Sequence, residues 1–351
     1  MEITEIRIDD YHKVLKANDP ESGLKAIIAI HNINRGPAVG GTRLYPYASE
    51  EDALEDVLRL SKGMTYKSAL ADVPFGGGKS VIIADVNEKS EALFKAFGRF
   101  VDTLEGLYTC AEDVNTSPKD LAIVRSSTKH VLGLEGASGD PSPLTALGVV
   151  ESIRATVKHL NLSMENLEVV VQGIGHVGKI VTEMLRQEGV TVYIADIREK
   201  QVQELAQETG AIAIAAEDAL KKPCDILVPC AMGAVLNEKT IPNLQCKAIV
   251  GAANNQLATD EDANRIAKKG ILYAPDYLVN AGGIINVFFE HNKDVYDHQS
   301  ARAKVMGIAE TLEKIYELSS AEDILPLQAA DRIAFSRFSK KESAGMQSAA
   351  C

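Results

Sequence analysis

The sequence predicts an α/β protein of two domains, and three observations carry that prediction. The chain has 351 residues, about twice the span of a common single domain. Short apolar runs of strand length alternate with stretches of helical periodicity. The second half holds a strand, a glycine turn and an amphipathic helix in direct succession, the opening unit of a doubly wound nucleotide-binding sheet. Composition agrees with a globular chain, at 46% hydrophobic and 25% charged residues.

The elements follow in order. LKAIIAIH at 24–31 reads as a buried strand, and a glycine cluster follows at Gly36, Gly40 and Gly41. Ser49 has the character of an N-cap, with acidic residues behind it. Leu54, Val57 and Leu58 give helical spacing, with a stop expected at Gly63. Gly76, Gly77 and Gly78 read as a turn leading into the strand KSVIIADV. Leu93, Phe94, Phe97, Phe100 and Leu104 mark a second amphipathic helix. The stretch 133–143, GLEGASGDPSP, is the best candidate boundary. Beyond it LEVVVQ at 167–172, TVYIAD at 191–196, DILVP at 225–229, KAIV at 247–250 and ILY at 271–273 are parallel-type strands. Residues 301–335 read as helical, and the tip KKESAGMQSAAC as frayed.

Several classes of function are disfavoured. A net charge of −12 and a pI near 5.2 give a surface that repels nucleic acid and acidic membranes. No apolar run reaches the ~18 residues needed to span a bilayer, and MEITEIRIDDYHKV lacks the basic and apolar regions of a signal peptide. Cys110, Cys224, Cys230, Cys246 and Cys351 are odd in number and form no CxxC pair. That argues against a disulfide framework or a structural zinc and for a reducing cytoplasm.

The chemistry-bearing motifs lie in both halves. Gly173, Ile174, Gly175, His176, Val177 and Gly178 form a GxGxxG that follows a strand and opens a helix. Gly173 permits the tight turn, Gly175 the approach of a pyrophosphate and Gly178 close packing of helix on strand. The amides of the helix N-terminus, at His176 and Val177, suit phosphate. Asp196 ends the next strand, 18 residues after Gly178, with Ile197 behind it. A carboxylate there accepts bonds from ribose hydroxyls and repels a 2′-phosphate, so NAD is expected over NADP, although Arg198 stands close by. In the first half Lys67 and Lys79 are 12 residues apart, and Lys79 follows three glycines. Desolvation and a second cation would both favour a neutral amine, the form of a general base. Asp113 could shuttle protons beside it.

These segments, taken together, resemble the leucine/phenylalanine/valine dehydrogenase branch of the amino-acid dehydrogenase family, with the glutamate dehydrogenases as distant relatives. The resemblance is carried by GPAVGGTR at 36–43, GMTYK at 63–67, GGGKSVI at 76–82, AEDVNT at 111–116 and GDPSPLTALGV at 139–149. It continues through VQGIGHVGK at 171–179, CDILVPCAMG at 224–233, GAANNQL at 251–257 and YAPDYLVNAGGIINV at 273–287. It implies a substrate-binding and oligomerisation domain over 1–138, a Rossmann-type NAD domain over 139–325, and a C-terminal helix over about 326–351 packing back on the first. The active site would lie in the cleft between the domains, in a cytoplasmic homo-oligomer that needs no metal.

The resemblance also implies roles. Lys79 is the base that activates water, Asp113 relays protons to and from the amino group, and Lys67 holds the substrate carboxylate. Asn255 stands near that carboxylate, and Gly40 and Gly41 bring backbone beside the substrate. Thr145 meets the nicotinamide end, and Cys230, Ala231, Asn254 and Asn280 complete the expected coenzyme contacts. Val39, Ala111, Ile284 and Val287 form the side-chain pocket, and all four are apolar. Burying a γ-carboxylate there without a partner would cost several kcal/mol, which disfavours glutamate. Ala111 matches leucine-preferring members, whereas SKGMTYKSALADV and DVNT are more similar to aromatic-preferring ones. The expected reaction is reversible oxidative deamination of a branched-chain aliphatic L-amino acid, with a phenylalanine or tryptophan dehydrogenase as the alternative.

Overall fold

The structure is a computed structural model that describes residues 1–134, 140–291 and 296–339. The chain forms two compact units, one of Met1–Glu135 with Ile333–Cys351, the other of Gly136–Arg332.

The first unit is built on a six-stranded mixed sheet. Its elements are β1 (Glu2–Glu5), β2 (Lys13–Asp19), β3 (Leu24–Asn32), β4 (Ala38–Tyr45), α1 (Glu50–Leu70), β5 (Gly76–Ile83), α2 (Glu91–Asp102), β6 (Tyr108–Glu112) and α3 (Pro118–Arg125). The strand order is β1-β2-β3-β5-β4-β6. The β1/β2, β2/β3 and β3/β5 pairs are antiparallel, and β4 lies parallel to both β5 and β6. Side chains alternate across the sheet. Ile27 and Ala29 of β3 meet Ala53 and Val57 of α1 on one face. Ile28 and Ile30 meet Phe94, Phe97 and Phe100 of α2 and Leu121 of α3 on the other.

Two local expectations are corrected here. Gly63 does not stop α1, which runs on to Leu70. A Cβ on Gly63 would meet nothing, so the glycine costs only about 1 kcal/mol of propensity. The buried Ser61, Thr65, Ser68 and Ala69 hold the helix through it. Gly76, Gly77 and Gly78 are not a turn but the first half of β5, and they are buried. Gly40 and Gly41 belong to a strand, β4, that their composition disguised. The polar N-terminus pairs as β1 and β2.

The second unit carries α4 (Ser142–His159), β7 (Glu168–Gln172), α5 (His176–Gln187), β8 (Thr191–Ala195), α6 (Glu199–Thr209), β9 (Ile212–Ala213) and β10 (Ile226–Pro229). It continues with β11 (Ala248–Ile249), α7 (Glu261–Lys268), β12 (Leu272–Tyr273), α8 (Asp276–Val279), α9 (Gly282–His291), α10 (His298–Glu322) and α11 (Pro326–Ser339). Its sheet has the order β12-β11-β10-β7-β8-β9, and every pair is parallel. Counted from β7, that is the doubly wound order 3-2-1-4-5-6, with its reversal between β7 and β10.

The helical stretch expected over 301–335 is two helices, separated where Asp323 turns left-handed with φ 53°. The last turns of α11 belong to the first unit. There Arg337 Nη1 donates to the carbonyls of Ala69 (2.8 Å) and Leu70 (2.9 Å) at the C-terminal end of α1. Phe338 sets its ring edge against Tyr66. The tip from residue 340 lies outside the described residues, with Cys351; the other four cysteines are free thiols. No described helix is long and apolar enough to cross a membrane.

Candidate active site

In the first unit the site grows from β5. Each glycine before Lys79 makes room for a different neighbour. A Cβ on Gly76 would stand 2.2 Å from the Asn32 carbonyl oxygen, on Gly77 2.2 Å from the Thr65 amide of α1, and on Gly78 2.7 Å from the Tyr108 ring. The triplet therefore draws strand and helix together and leaves Lys79 only 7% exposed. By strand alternation Lys79 shares the face of Gly77 and Val81, the face that α1 covers. Lys67 is half-buried on the last turn of that helix.

Asp113 follows β6 and forms a buried ion pair with Lys79. Its turn is pinned: the Asp113 amide donates to Thr116 Oγ1 (2.9 Å), and that hydroxyl donates to the Thr42 carbonyl (2.8 Å). Burial pushes the Asp113 carboxyl up, but Lys79 and Arg43 outweigh it and hold it below the usual carboxylate range. The carboxylate expected beside Lys79 is its ion-pair partner. Gly41 lies above the pair, where a Cβ would come within 3.1 Å of Lys79 Nζ and 2.7 Å of Asp113 Cβ. Any larger residue would fill the space over the ammonium.

A polar network supports the floor. The Tyr108 hydroxyl bonds to the Gly40 carbonyl (2.9 Å) and Ser80 Oγ (3.0 Å), and Ser80 Oγ donates to Thr42 Oγ1 (3.0 Å). Val39 is buried on β4, and Ala111 pairs in register with Gly41. Gly40, Gly41, Lys79, Ala111 and Asp113 are thus brought together. Sequence reasoning assigned no role to Arg43, Tyr108 or Thr116. Arg43 was within reach of it, two residues beyond Gly41 on the same strand face. The Cys110 thiol is pushed up to about 12 by burial, the signature of an inert core cysteine.

In the second unit the fingerprint residues form a cradle at the end of β7. Gly173 has φ +93°, and its Cβ would meet Ala231 at 2.7 Å; that of Gly178 would stand 2.0 Å from the Gly173 carbonyl. Gly175 faces open space, and as N-cap of α5 it leaves the first amides, at His176 and Val177, without a side-chain acceptor. Asn280 donates to the Ala252 carbonyl (3.1 Å) and Asn254 Oδ1 (2.8 Å), while its own Oδ1 is buried without a partner. Thr145 stands beside Gly283. Open glycine, uncapped amides and an orphaned acceptor fit a dinucleotide.

Asp196 is more engaged than its sequence position foretold. Oδ1 accepts from Arg198 N (3.0 Å) and Nε (2.8 Å), and Oδ2 from Ile174 N (2.9 Å) and Arg198 Nη2 (2.8 Å). Those bonds occupy the carboxylate's roughly four lone-pair positions, so ribose hydroxyls require the exposed Arg198 side chain to swing away. Ile197 is 88% exposed beside it. Cys230 follows β10, with Ala231 exposed after it, and Asn255 takes φ 51° in an exposed turn. Ile284 is buried and Val287 half-buried, three residues apart on α9.

Two family models match the chain. The glutamate/leucine/phenylalanine/valine dehydrogenase dimerisation domain covers residues 11–130, and the glutamate/leucine/phenylalanine/valine dehydrogenase domain covers 136–198 and 191–345. The chain belongs to this dehydrogenase family. A leucine dehydrogenase of Thermoactinomyces intermedius is 44% identical over 334 residues, 93% of this chain and 91% of the relative. An L-tryptophan dehydrogenase of Nostoc punctiforme is 42% identical over 340 residues, 96% of each, and a phenylalanine dehydrogenase of Bacillus thermotolerans is 42% identical over 340 residues, 93% and 88%. The crystal structure of L-tryptophan dehydrogenase from Nostoc punctiforme superposes with a TM-score of 0.86 at 41% identity, covering 94% of this chain and 96% of that one. The dehydrogenase is an oxidoreductase acting on the CH–NH2 group of amino acids, and its Rossmann-type unit is consistent with a nicotinamide coenzyme.

Proposed function

We propose that the dehydrogenase catalyses reversible NAD-dependent oxidative deamination of a branched-chain aliphatic L-amino acid, leucine foremost. The buried Lys79–Asp113 pair under the bare backbone of Gly41 carries this reading. NAD, when bound, supplies the acceptor for the hydride of the substrate Cα. The Lys67 ammonium binds the substrate carboxylate. Lys79 as the free amine takes a proton from water, that water adds to the imine carbon, and the Asp113 carboxylate takes the hydroxyl proton of the resulting carbinolamine. Asp113 returns its proton to the departing amino group, and the reprotonated Lys79 stabilises the developing oxyanion. Gly175, the uncapped start of α5 and Asn280 would hold the coenzyme. With Arg198 swung aside, Asp196 would accept from the ribose hydroxyls and repel a 2′-phosphate, which favours NAD.

The apolar character of Val39, Ala111, Ile284 and Val287 supports an aliphatic substrate. One methyl in such a pocket is worth only about 1–3 kcal/mol, and tryptophan and phenylalanine dehydrogenases stand at almost the same identity as the leucine enzymes. An aromatic substrate is therefore the second reading. A homo-oligomer is supported by the dimerisation domain matched over residues 11–130, and a reducing, cytoplasmic setting by the free thiols.

The test is NADH formation at alkaline pH, compared as kcat/KM for leucine, valine, phenylalanine and tryptophan. Preference for an aromatic substrate overturns the aliphatic assignment. Lys79→Ala is expected to lose about 10²–10⁴-fold in kcat with coenzyme affinity retained; a wild-type rate overturns the mechanism.

A further inference from the structure

A line of alternating charges leads from solvent to the lysine–carboxylate pair. Arg59 Nη2 meets Asp56 Oδ1 at 3.0 Å, Asp56 Oδ2 meets Arg43 Nη1 at 2.8 Å, and Arg43 Nε faces Asp113 Oδ2 at 3.8 Å. Asp113 in turn pairs with Lys79. Side-chain exposure falls from 59% at Arg59 to 9% at Lys79, so the inner members are weakly screened. Tyr47 also donates to Asp56 Oδ2, at 2.7 Å. Asp56 therefore anchors one end of the Arg43 guanidinium. The other end, Nε, is buried without a hydrogen-bond partner and points at the carboxylate.

An unsatisfied buried donor costs about 1–3 kcal/mol, so its retention beside a reacting carboxylate calls for a use. Lys79 must change its protonation during turnover, and a guanidinium does not. Beside Lys79, Arg43 is the cation that acts on Asp113. The Tyr108 phenol and the Cys110 thiol on β6 are both pushed up by burial and stay neutral. Thr116 is uncharged, and Glu112 beside it is exposed. Asp56 and Arg59 on α1 act through Arg43.

We propose that Arg43 is a positioning residue: anchored by Asp56, it is the permanent cation that keeps Asp113 a carboxylate while Lys79 is engaged elsewhere. A slide of about 1 Å would bring Nε into hydrogen-bonding range of Oδ2. The proposal rests on the reading of Asp113 as proton carrier.

The experiment is the pH profile of kcat/KM for Arg43→Gln, Arg43→Lys and Asp56→Asn, with coenzyme affinity and melting temperature measured on the same proteins. Removing a fixed positive charge raises the apparent pKa of the Asp113–Lys79 pair. In Arg43→Gln the acid-side limb should therefore move up by about one pH unit, with activity recovering on the alkaline plateau. Arg43→Lys should reverse part of the shift, and Asp56→Asn should show a smaller shift in the same direction as Arg43→Gln. A limb that stays in place in every variant that folds, or a loss uniform at all pH values, overturns the proposal. Asp113→Asn separates the two levels. If that variant keeps wild-type kcat, the proton-carrier reading fails; if it is inactive and the Arg43 limb is unmoved, only the role of Arg43 fails.

Discussion

Alanine at Gly175 and, separately, at Gly178 should divide coenzyme binding from folding. Gly175 has φ −66°, a backbone any residue adopts, and its added Cβ would meet nothing within 4 Å. Alanine is a poorer N-cap than glycine but lowers the entropy of the unfolded chain by about 0.4–1 kcal/mol. The two effects nearly cancel, so stability should change by less than about 1 kcal/mol, or about 2–4 °C in melting temperature. The new methyl nevertheless stands where a diphosphate must approach the first amides of α5. Losing one or two charge-assisted hydrogen bonds at about 1.5–3 kcal/mol each corresponds to a Kd raised at least tenfold. Gly178 is the opposite case. Its Cβ would stand 2.0 Å from the Gly173 carbonyl, and Gly173 is itself wedged against Ala231. Backbone has to move, at about 1–3 kcal/mol, and the melting temperature should fall by roughly 3–10 °C. Thermal melting and NADH fluorescence titration read both quantities. Wild-type NADH affinity in Gly175→Ala would refute the placement of the diphosphate, and wild-type melting in Gly178→Ala would refute the helix–strand contact.

Two further outcomes follow from named contacts. His31 is buried with Nδ1 2.8 Å from Thr65 Oγ1, and burial, then the nearby Lys62, lowers it to about 4. The unfolded chain binds its proton below about 6.5. Stability should therefore fall as the pH drops from about 6.5 to 4, by at most about 3 kcal/mol, and His31→Gln should flatten that slope in denaturant titrations; an unchanged slope refutes the assignment. Ala111→Gly should raise kcat/KM for phenylalanine relative to leucine by roughly 10-fold or more, and an unchanged ratio would remove Ala111 from the pocket.

Local pattern made much of the second unit legible. Continuous apolar runs at 167–172 and 191–196 belong to the strands β7 and β8, and GxGxxG between them is readable because the strand before it and the helix after it are its immediate neighbours along the chain. Ser49 was legible as a cap for the same reason: it bonds to Asp52, three residues away, at 3.0 Å. The first unit was harder. Glycine is a local breaker, yet Gly40, Gly41 and Gly76–Gly78 sit in strands because residues remote in sequence press against them.

By itself, then, the sequence determined what depends on neighbours along the chain: the alternating elements, the dinucleotide fingerprint, and the residue types able to move a proton or hold an anion. Only the tertiary structure decided that Gly63 lies inside a helix, that Asp113 forms an ion pair with Lys79, and that Arg43 stands behind that pair. The first of these arises from burial and the others from Coulomb attraction over a few ångströms. Neither burial nor the proximity of distant charges is written in the local order of residues.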